Sequence, residues 1–347
     1  MLDSLTFKET KELLNSGLRL TGSLEKVGKP LTKDHNGATG PVQTYGDDAA
    51  NNRGIAVRNN DPDRGQYPTI YPGSGMIAAT FNKDLSLEYG KAWGEDCLHA
   101  GYSGLYGPGL NIHRGAYNGR FFEYFSEDPV LSGQSCTYLC DGLKSKGVYA
   151  YLKHFALNDQ ESYREGVCVW ANEQTIREIY LKPYQIVMEA KAATSVMTGF
   201  NRIGVLWTSN QGFIESVMRK EWGSHGISVT DWWTGSYMNL AGAIYNGTDI
   251  PDGTRAMSDS VWQSYETGHP KFAWAMRESA HHILYTVAHS NAMNFISSNT
   301  KMVALTPKWM PMLDGIQKGI NIAFYITIGL FAAASAFYFI ASRKKEA

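Results

Sequence analysis

The chain has 347 residues, 43% of them hydrophobic and 19% charged, with a formal net charge of −1. That length allows one large domain or two ordinary ones. The hydrophobic share argues against a disordered chain, and the near-neutral balance argues against nucleic acid, whose phosphates select basic faces.

From the N-terminus, "SLTFKETKELLNSG" reads as a helix stopped by Gly17. Residues 45–67 are polar and rich in turn formers, a long surface loop. Apolar runs then alternate with helical patterns. "LYGPGLNIH" predicts a strand and "DPVLSGQSCTYLCDGLKSKG" a helix. "VYAYLKHF", "ATSVMTGF" and "GISVTDW" predict further strands, each followed by a helix. "GHPKFAWAMRESAHHILYTVAHSNAM" closes the series as a long amphipathic helix. Four cysteines, Cys97, Cys136, Cys140 and Cys168, form no CxxC pair, which argues against a cysteine-built structural zinc site. Cys136 and Cys140, at helical spacing, read as small core residues.

The stretch from Gly319 to Ser342 carries no charge and meets the roughly 20 apolar residues needed to cross a bilayer. Tyr325 and Tyr338 suit its two interfaces, and Arg343, Lys344 and Lys345 follow at once. These features predict a barrel over 1–296, a linker over 297–318, a transmembrane helix over 319–342 inserted in the lipid bilayer, and a basic tail over 343–347. The basic tail favours a cytoplasmic C-terminus and an extracellular barrel, yet the first residues lack the apolar core of a signal peptide. The expectation is that the chain is the later portion of something longer.

Strand–helix units recurring every 35 to 45 residues imply an α/β fold with parallel strands and right-handed crossovers. A doubly wound sheet and a (β/α)8 TIM-type barrel, regular or irregular, both satisfy this. The barrel is favoured because polar groups gather where strands end, the face on which barrel active sites lie. Those exits carry Asn111, His113, Arg120, Glu123, Asp128, Lys153, His154, Phe200, Asn201 and Asp231. A carboxylate among cations and hydrogen-bond donors stays ionised, so Asp231 is a candidate nucleophile or charge stabiliser. Each residue also has an ordinary structural reading. Arg120 and Glu123 suit a surface ion pair, and Asp231 suits a helix cap.

"KHFALNDQE", "GRFFEYFSEDP", "VMTGFNRIG" and "ISVTDWW" together resemble the barrel domain of glycoside hydrolase family 3, the β-glucosidase and β-xylosidase family, over roughly Thr21 to Met293. The resemblance implies Asp231 as the catalytic nucleophile. It implies Lys153, His154 and Arg120 as ligands of the sugar in subsite −1, with Asp34 in "KDHNGATGP" binding the far hydroxyls of that ring. Phe200 falls where many members carry Tyr, and Trp232 would wall the sugar. The substrate implied is a β-glucoside or oligosaccharide, cleaved with no cofactor and no metal.

Retaining hydrolysis needs a second carboxyl about 5–5.5 Å from the nucleophile. In family members it comes from an α/β sandwich domain, which in some relatives precedes the barrel. The expectation is therefore a barrel-plus-anchor half of the reversed-domain-order type, with the acid/base supplied by a separate α/β sandwich domain or a second subunit. Glu161 is the in-chain candidate for that acid. A degenerate, membrane-anchored sugar-binding barrel is the alternative.

Overall fold

The computed structural model describes residues 2–17, 19–40, 69–232, 238–253, 259–294, 296 and 310–345. The loop expected over 45–67, and Trp233, lie outside them. The chain forms two compact units, one of Met1–Asn51 with Arg58–Met302 and one of Asn52–Val57 with Val303–Ala347.

Among its described residues the first unit has the strands, in chain order, β1 (Leu20–Thr21), β2 (Thr32–Asn36), β3 (Gly104–Tyr106), β4 (Tyr149–Phe155), β5 (Cys168–Val169), β6 (Ser195–Thr198), β7 (Arg202–Ile203), β8 (Leu206–Trp207) and β9 (Ser228–Val229). The main sheet runs β1-β2-β3-β4-β6-β9. β2, β3, β4, β6 and β9 are parallel neighbours, as their spacing in sequence predicts. β1 is antiparallel to β2. These two are joined through a 3-10 turn, Glu25–Val27, which ends at Gly28 with φ 68°, a left-handed position that costs glycine nothing.

The sheet is curled. Ile250 bridges to Val229 in parallel, and the carboxylate of Asp252 just beyond accepts from the Arg19 amide at 3.0 Å. Arg19 immediately precedes β1, so the last extended segment reaches the first. A regular set of eight parallel strands is not reached among the described residues. β5, β7 and β8 form a separate small sheet, which two-residue strands leave no periodicity to announce.

Tyr106, Tyr151, Met197 and Val229, from four successive strands, belong to one buried cluster inside the curl. Helices cover the outside. Pro129–Ser145 starts with Pro129 behind an Asp128 cap that accepts from the Val130 and Leu131 amides. Lys83–His99, over which the sequence reading placed no element, packs against it. Its buried Tyr89, Trp93 and Cys97 are spaced for one helical face, but Gly90 and Gly94 dilute the pattern. Those glycines have a reason to be there, since a methyl group on Gly90 would overlap the Leu139 carbonyl. Cys136 and Cys140 are buried free thiols, as expected of core residues.

The second unit contains the helix Met310–Lys345. Its window Lys318–Ser335, with mean hydropathy 1.3, is long and apolar enough to cross a membrane. The described part of the expected linker, residues 310–318, is the start of this helix rather than irregular chain.

Candidate active site

At the C-terminal ends of the parallel strands lies a cavity of about 320 Å³, near the lower end of small-molecule sites. β2 contributes Asn36, β3 Tyr106, and the loop after β3 Arg120 and Glu123. Lys153 and His154 come from β4, Arg164 from the loop behind it, and Met197 and Phe200 from β6 and its exit. Asp231 and Trp232 follow β9, and Asp252 and Arg19 close the ring. Of the residues singled out in the sequence, Arg120, Glu123, Lys153, His154, Phe200, Asp231 and Trp232 thus share one cavity.

The site is built by paired groups. Arg120 donates from Nε and Nη2 to the two carboxylate oxygens of Glu123, at 2.7 and 2.8 Å. The same carboxylate lies 3.8 Å from Lys153 Nζ, which also donates to Asn36 Oδ1 at 3.2 Å. The His154 main chain is gripped by Asn111, whose Oδ1 accepts from its N–H at 2.6 Å and whose Nδ2 donates to its carbonyl at 3.0 Å. His154 Nε2 then stands 3.5 Å from Asp231 Oδ2. The other Asp231 oxygen accepts from the Trp232 amide at 2.7 Å. The Arg164 guanidinium lies 4.1 Å over the Phe200 ring, a cation–π contact that fixes its plane.

Electrostatics refine the sequence expectation. Burial pushes the Asp231 carboxyl above its ordinary value, and the Trp232 amide, Arg120, Lys153 and Arg164 oppose that shift. His154 is not one of the cations. Burial first, then Arg120, Lys153 and Arg164, hold its imidazole well below the usual range, so it is neutral at neutral pH. Burial also lowers Lys153, and Glu123 restrains that fall.

Two expected site residues are not brought to the cavity wall. Asp34 points into the interior of the curl, where it accepts from Tyr149 Oη at 2.5 Å and Tyr151 Oη at 2.9 Å. Asn36, two residues further on and on the same face of the strand, reaches the cavity instead. Glu161 accepts from Arg164 at 2.7 Å and lies 3.7 Å from Arg120. It serves the two guanidinium groups and is not among the lining residues. Asn111, His113, Asp128 and Asn201 are scaffold. His113 Nε2 meets the carbonyls of Phe121 and Tyr124, each at 3.0 Å, and Asn201 donates to the Ala156 carbonyl.

Sequence reasoning missed Arg19, Asn36, Arg164 and Asp252. Strand alternation beyond Asp34 points to Asn36, and the exit rule applied to "TDIPD" points to Asp252. Nothing in the local sequence marks Arg19. Asp252 is buried, accepts from the Arg19 amide, and is pushed up to about 6 by burial first, with Asp231 contributing. The wall therefore combines Arg19, Arg120, Lys153 and Arg164 with Glu123, Asp231 and Asp252, groups that suit a small, hydroxyl-rich ring.

Residues 61–252 match the model of the glycosyl hydrolase family 3 N-terminal domain. A β-glucosidase of Ruminococcus albus is 40% identical over 198 residues, covering 57% of this chain and 21% of that protein. A putative β-glucosidase of Schizosaccharomyces pombe is 34% identical over 253 residues, covering 72% of this chain and 28% of that one. β-Glucosidase 3B of Thermotoga neapolitana, solved in complex with glucose, superposes with a TM-score of 0.70 at 28% identity, over 86% of this chain and 44% of that one. The chain thus spans about a quarter of the length of these curated relatives.

Proposed function

The chain belongs to glycosyl hydrolase family 3, and on that premise we propose that it carries the nucleophile half of a retaining β-glycosidase acting on terminal glucosyl or xylosyl residues. One observation carries the reading. The partly buried Asp231 opens into a cavity whose other walls include Arg120, Lys153, His154, Arg164, Phe200 and Trp232.

Asp231 attacks the anomeric carbon as the glycosidic C–O bond breaks, the aglycone leaving as an alcohol protonated by the acid/base. Water, deprotonated by that same group, then hydrolyses the glycosyl-enzyme ester and frees Asp231. Neutral His154 donates from Nε2 toward Asp231 or a neighbouring sugar hydroxyl. Lys153, Arg120 and Arg164 hold further hydroxyls, and Trp232 packs on the ring face. Asp252, with Arg19, takes the end of the ring first assigned to Asp34, because it lines the cavity where Asp34 does not. The curled sheet is the core of an irregular (β/α)8-type barrel. The acid/base comes from outside this chain, from an α/β sandwich domain or a second subunit. That assignment is supported by Glu123 and Glu161, both already engaged by arginines. Residues 319–342 anchor the barrel in the lipid bilayer, with the C-terminus cytoplasmic and the barrel outside. The anchor behind the barrel fits the reversed domain order.

An aryl glycoside tests this, because a good leaving group needs little protonation. The chain should release nitrophenol from nitrophenyl β-glucoside, and Asp231→Ala should lower that rate by more than about 10³-fold while glucose binding persists. Glucose binding without release by the unsubstituted chain would replace the enzyme with the degenerate sugar-binding barrel.

A further inference from the structure

At the N-terminal end of β9, opposite Asp231, a second polar cluster sits on the helix Pro270–Ala288 of the first unit. Glu278, His281 and His282 share one face of that helix at i, i+3 and i+4 spacing. One ligand atom from each lies within 4.8 Å of the others. His225, from the segment leading into β9, brings its ring centroid to 5.9 Å from His281 and 6.5 Å from His282. We propose that Glu278, His281 and His282, completed by His225, bind a divalent transition-metal ion of the zinc class.

The carboxylate that His282 touches argues for it. His282 Nδ1 lies 2.9 Å from Asp249 Oδ1. The other Asp249 oxygen is already occupied by Arg219 at 2.8 Å and by the Ser228 amide at 2.7 Å. Nδ1 is thus the nitrogen of His282 that Asp249 engages, and Nε2 is the one left to face a metal. A carboxylate–histidine pair of this kind orients metal-ligating imidazoles. His282 and Glu278 both line a cavity of about 320 Å³, while His281 is itself partly exposed.

Geometry and chemistry select the ion. Zinc bonds of about 2.0–2.1 Å require ligand atoms roughly 3.3–3.5 Å apart. Side-chain rotation of the half-buried Glu278 and His281 supplies that contraction. Imidazoles with a single carboxylate favour zinc, nickel, cobalt or copper, whereas calcium and magnesium need more oxygen ligands. The ion would tie the closing helix to the strand that delivers Asp231, a stabilising role at the far end of the sheet. The inference does not rest on the glycosidase reading.

The untagged full chain, stripped with chelator, would be titrated with zinc chloride by equilibrium dialysis and by thermal melting. One zinc ion per chain and a higher melting temperature are expected, with no shift from magnesium. His281→Ala and Glu278→Gln should each weaken zinc binding by about 10-fold or more, and His225→Ala should also weaken it. Both 281 and 278 are partly exposed, so circular dichroism of these variants should match the unsubstituted chain. Failure of the chain to retain zinc on dialysis would overturn the proposal. So would unchanged zinc affinity in both His281→Ala and Glu278→Gln.

Discussion

His154 Nε2 and Asp231 Oδ2 stand 3.5 Å apart, the imidazole fully buried and the carboxylate 14% exposed at the cavity. On the other side of the ring, the Tyr124 hydroxyl and Asn111 Oδ1 each lie 3.4 Å from Nδ1. Because the imidazole is neutral, it has one N–H to give, and the network orders the choice. With Tyr124 donating to Nδ1, Nε2–H faces Asp231. His154→Ala removes that donor and leaves a buried carboxylate poorly solvated, worth about 1–3 kcal/mol. On nitrophenyl β-glucoside, kcat/KM should therefore fall about 10- to 100-fold. An unchanged kcat/KM would remove His154 from the site.

Arg120 and Glu123 make a two-pronged pair that lysine cannot reproduce. Arg120→Lys should weaken glucose binding, and Glu123→Gln should do so through the same contact. Their combined effect should be smaller than the sum by about 1.5–3 kcal/mol, the usual worth of a charged hydrogen bond. A double-mutant cycle on glucose affinity measures this. Strict additivity would mean that the pair does not act as a unit.

Asp34 and Asp252 should make the fold less stable as pH rises. Burial is the first cause in both, and both carboxyls are pushed up to about 6 from an ordinary value of 3.8. Between these values the folded state holds the proton and the unfolded chain has lost it. Stability is therefore highest below about pH 4, falls as pH rises toward 6, and carries the full cost above that. Lys29, lowered to about 7 by burial, acts in a different window. Between about 7 and 10.5 only the unfolded chain binds its proton, so stability recovers there as pH rises. Melting temperatures of the unsubstituted chain and of Asp34→Asn, taken from pH 4.5 to 6.5, separate the effects. The variant should show the shallower decline, and parallel curves would refute the assignment.

These residues also show what was legible in the sequence and what was not. β4 reads clearly, because Val148 to Leu152 run apolar without a break and end in Lys153 and His154 at the cavity; β6 is shorter, with Val196 and Met197 between Ser195 and Thr198. Arg120, Lys153, His154 and Asp231 followed from that rule. Asp34 did not, because a strand residue that faces inward can stop one layer short of the cavity. Its place was decided by the hydroxyls of Tyr149 and Tyr151, far away in sequence. Arg19 reaches the site only because the sheet curls until the Ile250–Asp252 segment meets the start of β1. Closure of that kind is a property of the assembled sheet, and no local pattern encodes it.

The crossing of helices Lys83–His99 and Pro129–Ser145 offers a test of packing alone. A Cβ on Gly142 would lie 2.5 Å from both the Leu87 carbonyl oxygen and the Lys91 nitrogen, and 2.6 Å from the Gly90 carbonyl carbon. All three are backbone atoms, so no side chain can swing aside and the helices must separate. Alanine in place of glycine in a helix interior gains about 0.8–1.0 kcal/mol of propensity. Overpacking a tight core costs typically about 1–3 kcal/mol, and with backbone on the opposing side the cost falls at the upper end. The clash wins. Gly142→Ala should lower the melting temperature by several degrees, whereas Gly268→Ala, at a helix end with nothing within 4 Å, should leave it unchanged or raise it. A Gly142→Ala protein as stable as the unsubstituted chain would show that the two helices do not approach this closely.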